Sequence, residues 1–68
     1  MTIEDVISAV ADETCKACNA DSKISDLVDD SLEFTMLLMR IGEEFGEIPD
    51  SAVPKIETVQ DIYDNIPA

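Results

Sequence analysis

The chain has 68 residues and a formal net charge of −12, with sixteen acidic residues set against only Lys16, Lys23, Arg40 and Lys55. Such a length supports one small domain and leaves no room for a deep, multiply supported catalytic cleft. The charge repels phosphate backbones and anionic lipid, so nucleic acid and membranes are disfavoured as partners and basic protein surfaces are favoured.

Apolar residues make up 46% of the chain and aromatic residues 4%, which argues against acidic disorder and for an aliphatic core. Histidine is absent, so the commonest general base and the commonest zinc ligand are missing together. The start, Met1-Thr2-Ile3-Glu4-Asp5, has no basic region and no long apolar run, so it does not read as a signal peptide. A cytoplasmic protein is the expectation.

Thr2 followed three residues later by Asp5 reads as a capped helix start. Ile3, Val6, Ile7, Val10 and Ala11 continue at helical spacing, which predicts a helix over 3–15. Asn19-Ala20-Asp21-Ser22-Lys23 reads as loop, and Ile24, Leu27 and Val28 are expected to pin a long loop to the core without forming an element. Asp30 is a good cap for a second helix, with Glu33 at its third position. Leu32, Thr35, Leu37, Leu38, Ile41 and Phe45 give that helix a broad apolar stripe, and Phe34, Met36 and Met39 extend it. Gly46 is its natural stop. Asp50 to Val53 has room for one turn, and Pro54 suits no longer helix there. Thr58, with Asp61 at the third position, caps a last helix carrying Val59, Ile62, Tyr63 and Ile66.

Cys15-Lys16-Ala17-Cys18 has redox spacing, but it falls at a helix end, where no dipole lowers a thiol pKa. It has no second cysteine pair or histidine to complete a zinc site. Small side chains closing the first helix, partly buried, are expected there. The acidic cluster from Asp21 to Glu33 lacks the glycine that a calcium loop needs at its sixth position, which is Asp26. No metal is therefore expected. Ser31 has no base and no nucleophile elbow. Its place in the first turn of a helix suits a phosphate instead.

Asp30-Ser31-Leu32, Glu43-Glu44-Phe45, Glu47-Ile48-Pro49-Asp50 and Lys55-Ile56-Glu57-Thr58-Val59-Gln60-Asp61 occur in the order and near-spacing of the acyl carrier proteins. From Leu27 to Ile66 the chain resembles that family. The resemblance implies an all-α, up-and-down four-helix bundle with a short third helix and a long first loop, formed by residues 1–68 as one domain. It implies no catalytic residue. It implies 4'-phosphopantetheine attached to Ser31, with Asp30 and Leu32 beside it, by a phosphopantetheinyl transferase using coenzyme A. An acyl group is then held as a thioester and delivered to partner enzymes with basic docking patches, in fatty-acid or specialised lipid or polyketide biosynthesis. Glu33, Phe34, Met36, Met39, Arg40, Glu43 and Glu44 are the partner-facing residues this implies, on a monomeric carrier.

Departures from the family pattern make a specialised member at least as plausible as a general fatty-acid carrier. Val28 stands for a usual glycine, Met36 for an acid, Arg40 for a small uncharged residue and Gly42 for an acid. A peptidyl or D-alanyl-type carrier of the same fold, or an unmodified acidic interaction module, is the alternative. The expected core comprises Ile3, Val6, Ile7, Val10, Leu32, Leu37, Leu38, Ile41, Phe45, Ile48, Ile56, Val59, Ile62 and Ile66.

Overall fold

The computed structural model describes residues 2–67. Its elements are α1 (Ile3–Thr14), α2 (Ile24–Leu27), α3 (Ser31–Glu44), a 3-10 turn (Val53–Lys55) and α4 (Val59–Asn65). The described residues form no strand, only an isolated antiparallel bridge between Lys23 and Thr58. The all-helical bundle expected from the sequence is therefore present.

Local chemistry sets the helix starts. The Asp5 N–H donates to Thr2 Oγ1 at 3.3 Å, and the Thr2 N–H donates back to Asp5 Oδ2 at 2.9 Å. Thr58 and Asp61 make the same reciprocal pair at α4, at 3.2 and 3.0 Å. Each box satisfies two backbone donors that a helix start otherwise leaves without partners. At the other end of α1, Cys15 turns into the left-handed region with φ 59° and stops the helix one residue before the predicted boundary. Cys15 is exposed, contrary to expectation, because that turn swings it off the packed face.

Twelve buried apolar residues form one core: Val6, Ala9, Val10, Ile24, Leu27, Leu37, Ile41, Ile48, Ile56, Val59, Ile62 and Ile66. Each large aliphatic side chain buried there contributes about 1.5–3 kcal/mol. Ile7, Leu38 and Phe45 pack against this core half-buried, and Ile3 is also half-buried. Leu32 is a correction: it is 67% exposed, because it points away from the α3 face that carries Leu37 and Ile41. Phe34 is the reverse correction. Expected at the surface, it packs half-buried beside Ile24, Val28 and Ile56.

The connection expected to lack an element contains α2. Ile24 and Leu27, three residues apart, face the core together, and the Val28 N–H donates to Ile24 O at 3.0 Å. A single turn is too short for periodicity to reveal, and it is held by tertiary bonds. The Ile24 N–H donates to Glu57 O at 2.8 Å, the Val59 N–H to Ser22 O at 3.1 Å and the Gln60 N–H to Ala20 O at 3.0 Å. The first loop thus completes the N-terminus of α4. The short third helix is one 3-10 turn, lying later than Asp50–Val53 and including Pro54. Proline is tolerated in a first helical turn, where its missing N–H is not needed.

α1 packs against both α3 and α4. The start of α1 lies beside the end of α3, with Asp5 near Glu44 and Phe45, and its end lies beside the start of α3, with Thr14 near Glu33 and Met36. The two long helices are therefore antiparallel, and the first turn of α3 sits at the pole where α1 finishes.

Candidate functional site

Ser31 is the first residue of α3 and is exposed. Its position is set by Asp30, an extended cap residue with φ −148° whose Oδ1 accepts the Glu33 N–H at 2.8 Å. Glu33 reaches back past the cap, its Oε2 accepting the Asp29 N–H at 3.0 Å. The reciprocal bond therefore falls one residue earlier than in an ordinary capping box. Thr35 Oγ1 donates to Ser31 O at 2.9 Å, which closes the turn beneath the serine.

The N–H groups of Ser31 and Leu32 belong to the first turn, which has no preceding helical carbonyls to bond, and the positive end of the helix dipole lies there. This corner is suited to a phosphate ester on the serine oxygen. Asp29 and Asp30 oppose an anion, although the Asp30 carboxylate is directed at its own helix. No histidine exists to activate the hydroxyl, so the proton acceptor for any reaction at Ser31 has to come from another protein.

From Ser31 the surface of α3 continues as apolar side chains. Leu32, Met36 and Met39 are 67%, 49% and 61% exposed, spaced along one side of the helix at intervals of four and three. Glu33, Glu43 and Glu44 are exposed around them. Phe34 is half-buried, packed against the core at one groove. Arg40 is engaged within the chain. Its Nη1 lies 2.7 Å from Asp12 Oδ2 and 3.8 Å from Glu13 Oε1, and its Nε lies 3.0 Å from Glu44 Oε1. The hydrogen bonds to Asp12 and then Glu44 raise the guanidinium pKa further above its ordinary value.

Two shallow grooves lie against α3, one along its middle and end and the other beside its start. Thr35, Leu38, Gly42, Ile48 and Val53 line one, between α3 and the segment 47–53. Ile24, Val28, Phe34 and Ile56 line the other. Sequence reasoning missed Asp12 and Glu13 as neighbours of α3, since nothing local in α1 signals a guanidinium 28 residues downstream. The Cys15 and Cys18 thiols are both free and turn to different carbonyls of α1, Asp12 O at 3.8 Å and Ile7 O at 3.6 Å. Burial pushes the Cys18 thiol pKa up.

No family model matches the chain. Over 69 aligned positions it is 42% identical to a protein named acyl carrier protein from Thermosynechococcus vestitus, an alignment covering 94% of this chain and 85% of that protein.

Proposed function

The chain belongs to the acyl carrier protein family, and from that premise we propose that Ser31 is the attachment point of 4'-phosphopantetheine, installed from coenzyme A by a phosphopantetheinyl transferase. Its role is acyl carriage, not catalysis. When bound, the arm supplies a terminal thiol that holds an acyl group as a thioester.

The observation that carries the reading is the exposed Ser31 at the first position of a capped helix, beside an exposed Leu32. Nothing in the described chain covers the serine, and the first-turn N–H groups favour the phosphate it would bear. Asp30 holds the turn, Thr35 closes it from below, and Leu32 gives an enzyme an apolar grip next to the reacting oxygen. Ser31 Oγ forms the new bond to phosphorus, the adenosine 3',5'-bisphosphate group leaves with the electron pair, and the serine proton passes to a base of the transferase.

The residues 1–68 act as one cytoplasmic, monomeric carrier domain serving fatty-acid or specialised lipid or polyketide enzymes. Glu33, Met36, Met39, Glu43 and Glu44 offer those enzymes an acidic and apolar face. No described helix is long and apolar enough to cross a membrane. Incubation with a broad-specificity phosphopantetheinyl transferase and coenzyme A, followed by intact-mass measurement, tests the reading. One added phosphopantetheine on the wild type and none on Ser31→Ala is expected. No addition to the wild type, or equal addition to both, defeats it.

A further inference from the structure

The backbone entering α3 is held by a hydrogen bond at each residue from Val28 to Ser31. The Val28 N–H donates to Ile24 O at 3.0 Å, which anchors it to α2. The Asp29 N–H donates to Glu33 Oε2 at 3.0 Å, and the Glu33 N–H donates to Asp30 Oδ1 at 2.8 Å. Thr35 Oγ1 donates to Ser31 O at 2.9 Å. Glu33 is thus tied, through its side chain and its backbone, to the two residues that precede Ser31. The Asp30 side chain already caps the helix. The Glu33 side chain adds a second restraint, on the residue before the cap, which fixes the direction in which the chain enters α3. At α4 the corresponding carboxylate, Asp61, takes the Thr58 cap N–H as well as the Glu57 N–H before it.

We propose that Glu33 is a positioning residue for phosphopantetheine transfer. Its side-chain oxygen, acting as a hydrogen-bond acceptor and not through its charge, holds the Asp29-Asp30-Ser31 backbone so that the Ser31 hydroxyl meets the transferase in one place. The inference rests on Ser31 being the attachment point. Ser31 is exposed and is the first residue of its helix, so local bonds and not packing fix it. A shift of about 1 Å at a reacting group is enough to remove much of a rate. With the Asp29 N–H released, the first turn of α3 opens part of the time, and only the closed fraction presents the hydroxyl correctly. A docking charge would act otherwise, through the encounter with the partner, and every neutral variant would lose it.

Glu33→Gln and Glu33→Met separate the two roles. Both are neutral and similar in length, and only the first keeps an acceptor for the Asp29 N–H. The test is the rate of Ser31 modification by a broad-specificity phosphopantetheinyl transferase with coenzyme A. It is measured on the full chain at a temperature where circular dichroism shows every variant folded. Glu33→Gln should stay within about twofold of the wild type, and Glu33→Met should lower kcat/KM about fivefold, the size expected for one lost helix-start bond. Exchange of the Asp29 amide hydrogen should speed up in Glu33→Met and not in Glu33→Gln. Asp61→Ala, which removes the corresponding bonds of α4, should lower stability and leave the rate unchanged. Should Glu33→Met fail to fold, Glu33→Ala takes its place. Slowing of Glu33→Gln beyond twofold, no slowing of Glu33→Met, or equal slowing by Asp61→Ala overturns the proposal while leaving Ser31 as the attachment point. A wild type that accepts no phosphopantetheine defeats both.

Discussion

Arg40 Nη1 on α3 lies 2.7 Å from Asp12 Oδ2 on α1. In a chain of net charge −12 this contact places the only arginine between two acidic helices, where it offsets repulsion that would otherwise act across their seam. The cation that interrupts the acidic pattern of α3 is thereby held between the helices, and the exposed side of α3 around it is acidic and apolar.

Replacing Arg40 by Gln should therefore lower the thermal midpoint most at low ionic strength. Asp12, Glu13 and Glu44 would then face one another with no cation between them. At about 1 M salt the screening length falls to about 3 Å, and the gap to the wild type should shrink by more than half. Calorimetry at two salt concentrations checks this, and a gap independent of salt would mean that Arg40 acts through packing alone.

Leu32 and Leu37 lie on the same helix with opposite consequences. Leu37 is fully buried, so Leu37→Ala should cost about 2–5 kcal/mol, most of the stability of a domain this small. Leu32 is 67% exposed, so Leu32→Ala should change stability by less than about 0.5 kcal/mol. Denaturant midpoints measure the first effect. They measure the small second effect too, and the transferase rate is a separate readout, which Leu32→Ala should slow.

Asp61 accepts the Glu57 and Thr58 N–H groups at 2.9 and 3.0 Å, and these bonds, that of Glu57 first, hold its pKa below the ordinary carboxylate value. The folded value lies below the unfolded one. The contribution is therefore present above the unfolded pKa of about 4 and is lost as pH falls through the lowered folded value. Acid titration followed by circular dichroism should show the start of α4 loosening below about pH 4, and Asp61→Asn should remove that part of the pH dependence.

Cys15 is exposed and Cys18 half-buried, with burial raising the Cys18 thiol pKa. Alkylation of the native protein near pH 8 should modify Cys15 first and Cys18 about tenfold more slowly, followed by mass spectrometry of timed samples. Equal rates would mean that the loop after α1 opens far more readily than its packing implies.

Gly42 lies inside α3, and a Cβ there would meet Glu47 Cα at 3.6 Å, an ordinary contact. Gly42→Ala should therefore stabilise the protein by about 0.5–1 kcal/mol, the usual gain in a helix interior. A loss in the denaturant midpoint would instead assign the glycine to the groove it lines with Leu38 and Val53.

The legible parts of the fold are those in which cause and effect are close in the chain. Thr2 with Asp5 and Thr58 with Asp61 are each three residues apart, and both close as reciprocal caps. Asp30 with Glu33 marks the start of α3 equally well, although Glu33 extends back to Asp29. The place of Ser31 in a first turn was legible as well, because the Asp30 cap beside it is a local feature. α2 was not legible, because a four-residue helix held by Glu57, with Ser22 and Ala20 bonding α4, depends on residues more than thirty positions away.

By itself the sequence determined an acidic, aliphatic, helical carrier with three capped helix starts and one serine at the second long helix, because hydrophobic spacing and i to i+3 capping act within a few residues. The tertiary structure alone decided the direction of each side chain on α3. Leu32 turned outward, Phe34 turned inward, and Arg40 reached Asp12 across the seam. The apolar stripe of α3 is wider than the face α1 and the core can cover, so which members stay exposed depends on how the helices pack.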